Sequence, residues 1–483
     1  MADLDVLIIG AGISGIGVAR YLQKRRPGTR YVILEGRGEI GGTWSFFRFP
    51  GIRSDSDLFT FGYDFKPWHR AEAFADGPSI KAYVAEAARE NGIDRHIRFH
   101  HKVLDAGWSS AERRWSVRVQ RTDTREALVL RARWLFSAAG YYRYDEGYTP
   151  QFAGRERFRG RIVHPQSWPQ DLDCRGKRIV VIGSGATAVT LVPALAAEAA
   201  HVTMLQRTPS YVLPLPAEDV LAKRLRPVLG DRLTHAIARR VNMTRQRLVY
   251  AFCRNYPHAA RRWIAKINAR FLPEGYPVDV HFNPPYGPWE QRLCVAAGGD
   301  LFKAIGAGKA SVVTERIDAF TESGIRLQSG AQLEADVIVT ATGFNLQAFG
   351  GVKLQVDERP VRPADTVTFK GMMMSGVPNF ANAMGYAASS WTLRIGLLGD
   401  YFCRLLAYMD GKRYEVCTPI AEPGMATRPF LGFSPGYVQR SAAEMPRQGE
   451  GFPWLTSMTY AADLKLLHSG PVHDRHLRFT AAP

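Results

Sequence analysis

The sequence predicts an α/β fold with two similar strand–turn–helix units and a helical insertion in the second unit. The units are marked by glycine-rich turns, GAGISG from Gly10 and GSGATA from Gly183, each between an apolar run and a helix-like run. Short apolar runs of this kind are typical of buried parallel strands. Between about residues 215 and 287, an arginine-rich, helix-like stretch interrupts the pattern. The length of 483 residues exceeds one ordinary core, so two or three domains are expected.

The first turn has the spacing of a dinucleotide-binding loop. Gly10, Gly12 and Gly15 follow G-x-G-x-x-G, and Glu35 ends the next apolar run about 20 residues beyond the last glycine. The first two glycines allow a tight turn and the close approach of a pyrophosphate, which the helix N-terminus attracts. Glu35 is expected to accept hydrogen bonds from a ribose, so FAD is the expected ligand of this Rossmann-like unit.

The second turn differs from the first at the end of its next strand. Gly183 and Gly185 are in place, Ala188 replaces the third glycine, and Arg207 stands where an acid would favour NADH. Arginine pairs with a 2′-phosphate through two hydrogen bonds, so the expected ligand is NADPH. A solvated surface arginine is the alternative interpretation. The predicted contacts to this nucleotide are Gly183, Ser184, Gly185, Thr187, Arg207 and Thr208.

Three further motifs accompany the glycine turns. Residues 41–55 contain G-G-x-W, F-P-G and a final Asp; residues 158–169 follow F-x-G-x-x-x-H-x-x-x-W-P; and residues 341–344 are A-T-G-F. Taken alone, Trp44 would be a core residue and Asp55 a turn cap. Together with the turns, these motifs resemble class B flavin-dependent monooxygenases, and the Trp-Pro ending is that of the Baeyer–Villiger family. The stretches YDEGYTPQFAG, PWEQRLC and KGMMMSG look closest to its ethionamide-activating subgroup.

The resemblance implies a two-stage reaction. NADPH reduces bound FAD, and the reduced flavin then reacts with dioxygen to give a peroxyflavin. This species converts a ketone to an ester or lactone, or oxygenates a sulfide or thioamide. In the family's pattern, Arg292 stabilises the negative charge that forms, Asp55 holds that arginine, and His164 couples domain motion. A sulfur- or amine-oxidising flavin monooxygenase without carbonyl activity is the alternative.

The resemblance also implies flavin contacts beyond the first turn. These are Gly42, Thr43, Trp44, Asp55 and Trp391. Trp391 opens a late helix for which Ser389 or Ser390 is the expected N-cap, and the N-terminus of this helix is expected to face the pyrimidine oxygens of the flavin. Gln291 stands where many relatives have a lysine that helps to bind the 2′-phosphate. Recognition of that phosphate is therefore expected to rest on Arg207 and Thr208.

The expected domain organisation follows the order of the motifs. An FAD-binding domain takes residues 1–145 and 341–483, and an NADPH-binding domain takes residues 146–340 with the insertion at about 215–287. The stretch ARWLFSAAGYY ends a strand at Gly140, and ADVIVTATGFN ends another at Gly343. We expect the chain to leave the first domain at one of these points and to return to it at the other.

The insertion is basic and amphipathic. From Arg232 to Arg270 it carries many arginines and almost no acid, and its apolar positions recur at helical spacing: Leu233, Ile237, Val241, Leu248 and Phe252. One interpretation is a helix pair packed on the NADPH domain with a solvated basic face. The other is a peripheral contact with a membrane surface. The formal net charge of +18 favours anionic partners, but no motif indicates nucleic acid.

The five cysteines exclude several other functions. Their number is odd and none forms a C-x-x-C pair, which argues against a disulfide scaffold, a zinc site and a dithiol redox centre. This cysteine usage fits a reducing cytoplasm. The N-terminus is predicted to be a strand rather than a signal peptide, and no long uncharged apolar run predicts a membrane span. The expected partners are therefore a small ketone or organosulfur substrate and dioxygen.

Overall fold

The chain folds around two parallel-stranded sheets, each of which carries one of the glycine turns. A computed structural model describes residues 3–291, 293–386, 389–432 and 436–481. The predicted catalytic Arg292 therefore lies outside the described residues. The predicted α/β class is confirmed, since strands and helices alternate along both glycine-turn units.

The larger sheet contains the first glycine turn. Its parallel part is built on Leu4–Ile9, an apolar strand whose last four residues are buried. An antiparallel meander extends the sheet on one side. The strands run in the order Arg359–Val361, Lys353–Val356, His101–Ser109, Arg114–Arg121, Ala127–Ser137, Leu4–Ile9, Tyr31–Leu34 and Ile97–Arg98, and Phe380–Asn382 also pairs with Ala127–Ser137.

The second sheet contains the second glycine turn, and all its strand pairs are parallel. Its strands come from one stretch of chain, whereas the larger sheet takes strands from both sides of that stretch. The order is Ala310–Thr314, His201–Gln206, Arg178–Ile182, Val337–Thr340 and Arg161–Val163. Since the carboxyl ends of parallel strands share one edge, the turn after Ile182 and the residues after Gln206 lie at the same edge of the sheet.

The helices cover these sheets, and α1 of the first unit packs against the late helix α10. The helices are α1 Ile13–Arg25, α2 Thr43–Phe46, α3 Leu58–Phe61, α4 Gly77–Glu90, α5 Ala186–Ala196, α6 Val220–Asn255, α7 Pro257–Ala269, α8 Val278–His281, α9 Asp300–Gly306, α10 Trp391–Gly411, α11 Gly436–Ser441 and α12 Tyr460–Asp463. Within the ranges that the structure describes, no helix combines the length and the apolar character needed to cross a membrane.

Short ribbons complete the fold. The most informative one pairs Tyr142–Gly147 with Phe344–Leu346, so the two connections expected between the domains run side by side. The other short strands are Val212–Leu215 with Cys294–Ala297; Ile317–Phe320, Gly324–Leu327 and Gln332–Glu334; Thr368–Phe369 with Met373–Met374; Tyr414–Pro419 with Leu477–Ala481; and Thr427–Pro429 with Arg447–Gly449.

Helices α6 and α7 form the predicted insertion, but α6 buries a different face from the one that its apolar pattern favoured. Leu233, Val241 and Leu248 are exposed, so this part of the apolar stripe does not pack on the domain. The buried positions of α6 are instead small or polar: Ala222, Thr234, His235, Ala238, Asn242 and Cys253. Hydrogen bonds explain this orientation, because Asn242 donates to the buried carboxylate of Asp57, and bonds to charged groups contribute about 1.5–3 kcal/mol each.

Candidate active site

The first glycine turn and Glu35 form one hydrogen-bonded unit. Glu35 is buried, and its Oε2 atom accepts a hydrogen bond from the backbone N–H of Ala11 at 2.9 Å, while Oε1 accepts one from the N–H of Arg37 at 3.1 Å. Helix α1 begins after Gly12 without a side-chain cap, so its first N–H groups are open to a ligand. Together with the positive end of the helix dipole, they favour a bound pyrophosphate.

A cavity of about 930 Å³ opens beside this turn. Its volume lies at the upper end of the usual range for small-molecule and cofactor sites. Most of the predicted flavin contacts lie on its wall: Gly10, Gly12, Glu35, Gly42, Thr43, Trp44, Asp55 and Trp391. Gly12 and Gly42 face each other so closely that a Cβ atom on Gly42 would lie 3.0 Å from the Cα of Gly12. These two glycines therefore leave the cavity room that side chains would fill, and the residues fit a bound flavin nucleotide.

The late helix α10 closes one side of the cavity. The indole Nε1 of Trp391 donates to Ser14 Oγ at 2.8 Å, and its ring stacks on Tyr141 with centroids 5.3 Å apart. Ser390 occupies the N-cap position, as predicted, but its hydroxyl bonds Thr60 Oγ1 at 2.6 Å instead of capping the helix. Within the part of the chain that the structure describes, no N-cap side chain accepts from the first N–H groups of α10, and Trp391 places this helix end at the cavity wall. This arrangement suits an acceptor oxygen of a ligand.

Asp55 lies on the cavity wall in a segment that is fixed on both sides. Two residues before it, Arg53 forms a two-contact ion pair with Asp300 at the start of α9, with one contact at 3.2 Å. Two residues after it, the carboxylate of Asp57 accepts hydrogen bonds from α3 and α6. Segments of both glycine-turn units therefore hold the position of Asp55. Arg292, the predicted partner of this carboxylate, is outside the described residues.

His164 lies beside the ribbon of Tyr142–Gly147 and Phe344–Leu346, which we call the crossing ribbon, rather than on the cavity wall. Its Nδ1 atom accepts a hydrogen bond from the N–H of Gln166 at 3.1 Å, so the proton is on Nε2, which donates to the carbonyl of Gly343 at 3.1 Å. Burial lowers the pKa of His164 below its ordinary value, which keeps the ring neutral at pH 7. The stability that this neutral ring contributes is present above the ordinary histidine pKa and is lost as the pH falls through the lowered one. This geometry suits a structural link between the two connections.

The second glycine turn presents a different surface. Gly183 has a φ of +141°, and a Cβ atom there would lie 2.3 Å from the carbonyl oxygen of Ala341, whereas a Cβ atom on Gly185 would meet open space. Ser184 Oγ donates to the carbonyl of Thr208 at 2.9 Å, which ties the turn to the end of the neighbouring strand. Thr187 also lies on the wall of the large cavity. Open space at the middle glycine is what the close approach of a pyrophosphate requires.

Two polar residues at the end of the strand His201–Gln206 have different surroundings: Gln206 is buried and Arg207 is exposed. The buried Gln206 donates from Nε2 to the carbonyl of His281 and to Thr314 Oγ1, both at 2.8 Å. Arg207, the next residue, is exposed at the same sheet edge as the glycine turn. Its guanidinium is therefore available to an anionic ligand bound at that edge.

Sequence reasoning missed the aromatic part of the cavity. Arg37 lies over the rings of Phe46 and Tyr144, at 5.4 and 5.3 Å from their centroids, and donates from Nη2 to the carbonyl of Gly42 at 2.8 Å. The aromatic residues on the wall that were not predicted include Phe46, Phe47, Phe49, Tyr142, Tyr144 and Phe344. The signal was present in the stretches WSFFRF and YYRY, whose density of aromatic residues is high for connecting segments.

Comparison with known proteins identifies the family. The family model described as FMO-like, flavin-binding monooxygenase-like, matches residues 4–351. The chain is 50% identical to the FAD-containing monooxygenase EthA of Mycobacterium tuberculosis (strain ATCC 25618 / H37Rv), over 99% of this chain and 98% of that one. It is 42% identical to the probable FAD-binding monooxygenase AlmA of Acinetobacter sp, over 99% and 96% of the two chains.

Solved structures show the same fold at low sequence identity. An oxidized steroid monooxygenase bound to NADP superposes with a TM-score of 0.76 at 22% identity, over the whole of both chains. Cyclohexanone monooxygenase from Rhodococcus sp. Phi1 bound to NADP+ superposes with a TM-score of 0.75 at 19% identity, again over the whole of both chains. These structures show the fold, and the match to the family model and the two similar sequences show the family. The chain therefore belongs to the flavin-binding monooxygenase-like family, as its motifs predicted.

Proposed function

We propose that the protein is an FAD-containing, NADPH- and O2-dependent Baeyer–Villiger monooxygenase. The observation that carries this proposal is one cavity whose wall joins both nucleotide units, Gly10 and Gly12 from the first and Ala186 and Thr187 from the second. A nicotinamide and a flavin bound to their own turns would meet there. FAD supplies the redox chemistry and the activation of dioxygen when bound.

The proposed roles of the protein's own residues follow from their positions. Glu35 and the open N–H groups of α1 bind the FAD ribose and pyrophosphate, and Trp391 fixes the end of α10 against the flavin side of the cavity. Asp55 orients Arg292, whose positive charge stabilises negative charge formed during oxygen transfer. His164 joins the two connections and acts as a positioning residue. The proposed domain boundary after residue 145 falls within strand Tyr142–Gly147 of the crossing ribbon, and the one after residue 340 falls shortly before its partner strand Phe344–Leu346.

The proposed substrates are apolar ketones and organosulfur compounds. The aromatic wall at Phe46, Phe47 and Phe344 offers apolar area and ring edges, with few charges to bind a polar substrate. The relatives named as monooxygenases support oxygen insertion, and the similarity to the steroid and cyclohexanone enzymes supports the carbonyl reaction.

Product analysis on paired substrates tests the reaction type. The purified holoenzyme, NADPH and oxygen are incubated with 2-decanone or with methyl phenyl sulfide, and products are identified by mass spectrometry. We expect an ester from the ketone and a sulfoxide from the sulfide, each dependent on NADPH. Sulfoxide without any ester would establish the alternative, a sulfur- or amine-oxidising monooxygenase without carbonyl activity.

Arg207→Ala is expected to raise the KM for NADPH about ten- to a hundredfold and to leave the KM for NADH nearly unchanged. The exposed guanidinium at the strand end would pair with the 2′-phosphate, and a charge-assisted contact of this kind contributes about 1.5–3 kcal/mol. Initial rates of flavin reduction at varied nucleotide concentration measure both constants. Equal use of NADPH and NADH by the unmodified enzyme would show that Arg207 does not select the cofactor.

A further inference from the structure

We propose that the α6–α7 hairpin docks the enzyme on an anionic lipid membrane. The proposal rests on an apolar ridge on the hairpin surface. We define this ridge as Leu233, Ile237, Val241, Leu248, Phe252, Tyr256 and Trp263. Large members of this ridge face solvent: Leu248 is 60% exposed, Tyr256 64%, Leu233 51% and Val241 45%. A helix of a globular protein normally turns such a stripe toward the core.

The ridge is continuous along both helices. On α6 its members recur at steps of four, four, seven and four residues, which keeps them within one face of a helix. The ring of Phe252 lies 6.2 Å from that of Tyr256 and 6.1 Å, edge to face, from that of Trp263 on α7. The ridge thus ends in a tyrosine and a tryptophan, residues that are enriched where apolar lipid meets water.

Arginines flank the ridge and give it a single sign of charge. Residues 220–270 contain thirteen Lys and Arg and one acid, Asp231. That acid already pairs with Arg226 at 3.1 Å. The exposed arginines on or beside the ridge are Arg240, Arg245, Arg247, Arg254 and Arg262, and none of them forms an ion pair within the described ranges. An apolar stripe beside free cations is the pattern of a helix lying in a membrane interface.

Two arginines of the hairpin, Arg239 and Arg261, point into the protein and not toward the solvent-facing ridge. Arg239 donates to the carbonyls of Phe59 and Gly62 at 2.9 and 2.8 Å. Arg261 donates to Tyr211 Oη at 3.0 Å and to the carbonyl of Tyr286 at 3.2 Å. Both guanidinium groups hold the hairpin on the protein, so the surface charge of the ridge belongs to the other arginines.

Charge complementarity selects the occupant. A second copy of the chain would bring a +18 molecule, with the same arginine-flanked ridge, onto this face. Like charges across an interface cost several kcal/mol, which disfavours self-association here. A leaflet with anionic headgroups offers both acceptors for the arginines and an apolar layer for Leu248 and Trp263.

The inner side of the hairpin contacts the candidate active site. Gln246 Nε2 donates to Asp57 Oδ2 at 2.7 Å, and Ser389, which lies on the cavity wall, donates from Oγ to Gln246 Oε1 at 3.4 Å. Docking would therefore place the cavity close to a bilayer, where apolar ketones and sulfides concentrate. This last step rests on the proposed function, whereas membrane binding itself does not.

Vesicle co-sedimentation of the full-length protein tests the proposal. The probes are vesicles of phosphatidylcholine alone and of phosphatidylcholine with phosphatidylglycerol at a ratio of about three to one. We expect binding to the anionic vesicles at low salt, weaker binding at high salt because screening shortens the reach of the charges, and little binding to the neutral vesicles. Failure of the unmodified protein to bind anionic vesicles at low salt would overturn the proposal.

Matched variants separate the ridge from general positive charge. Substituting Arg240, Arg247 and Arg254 by Gln is expected to weaken binding by about fivefold for each arginine, or on the order of a hundredfold together. The control substitutes three exposed arginines elsewhere, Arg155, Arg359 and Arg428, by Gln and removes the same charge. Equal loss of binding in both triple variants would overturn the assignment to this face.

A second variant tests the apolar part of the ridge. Leu248→Gln combined with Trp263→Gln is expected to weaken vesicle binding at least tenfold while NADPH oxidation with a water-soluble ketone stays unchanged. Sedimentation velocity is measured on the same proteins. If these two substitutions instead convert an oligomer to a monomer and leave vesicle binding intact, the ridge is an interface between copies and the proposal fails. Absence of ester formation in the unmodified enzyme would affect only the proposed function.

Discussion

Replacing Arg292 by Ala is expected to abolish nearly all ester and sulfoxide formation while leaving flavin reduction by NADPH intact. The reduction needs the nicotinamide and the flavin to meet in the cavity, and no negative charge on oxygen exists at that stage. Oxygen transfer needs a fixed cation beside the charge that forms later. Loss of one such preorganised electrostatic stabiliser costs about 2.7–4 kcal/mol, on the order of a hundred- to a thousandfold in rate.

Three measurements on the Arg292→Ala enzyme divide the reaction into its halves. The anaerobic rate of flavin bleaching by NADPH should match that of the unmodified enzyme. Under oxygen, NADPH consumption should continue, with hydrogen peroxide as the product in place of ester. Arg326→Ala, at a partly exposed arginine paired with Asp318 at 2.7 Å on the antiparallel ribbon, serves as the control and should change neither half. A normal yield of ester from Arg292→Ala would show that another residue supplies the charge.

The fold was predictable where local spacing determines the structure. Gly10, Gly12 and Gly15 fix a turn over a few residues, and the acid at Glu35 is required at the end of the adjacent parallel strand, so one short pattern specifies strand, turn, helix and strand. The predicted acid lies where expected, and the hydrogen bond from the Ala11 N–H to Glu35 shows why the spacing matters. The spacing likewise located the second turn and the strand end before Arg207, whereas the binding role of Arg207 remains a prediction.

Long-range contacts were not predictable in this way. Arg53 and Asp300 are far apart in sequence, and nothing near either residue indicates the ion pair that joins them. Asn242 is a polar residue in a helix with an apolar stripe, and its bond to Asp57 decides which face of α6 is buried. Periodicity identifies an apolar stripe on a helix. It does not identify Asp57, which binds the other face of α6 and lies in a distant part of the chain. For that reason, the pattern left open whether the stripe faced the domain or a membrane.

The aromatic wall shows a third limit. Phe46 and Phe47 lie far from Tyr144 in sequence, and only the fold brings them together. An isolated aromatic residue is more often a core residue than a site residue. The family pattern includes Trp44 and Asp55 of residues 41–55 but not Phe46, Phe47 or Tyr144. Dense aromatic residues in both stretches that flank a predicted nucleotide site were the available signal.

Gly15→Ala is expected to lose most of the bound FAD, although alanine occupies the equivalent position, Ala188, of the second unit. A Cβ atom on Gly15 would lie 2.0 Å from the carbonyl oxygen of Gly10, a backbone atom that cannot rotate away. Helix α1 would have to move away from the turn, and its open N–H groups would move with it. Overpacking of this kind costs up to about 3 kcal/mol, on the order of a hundredfold if it falls on cofactor binding.

The expected loss is measured as the ratio of FAD to protein after purification and as the dissociation constant for FAD added back to the apoprotein. Gly28→Ala is the matched control, because a Cβ atom on that exposed turn glycine meets nothing within 4 Å. Ala188→Gly should likewise retain FAD, since it lies in the unit proposed for NADPH. Wild-type FAD affinity in Gly15→Ala would mean that α1 tolerates the shift and that the closeness of helix and turn does not control binding. A loss confined to Gly15→Ala would tie FAD binding to the distance between α1 and the carbonyl of Gly10.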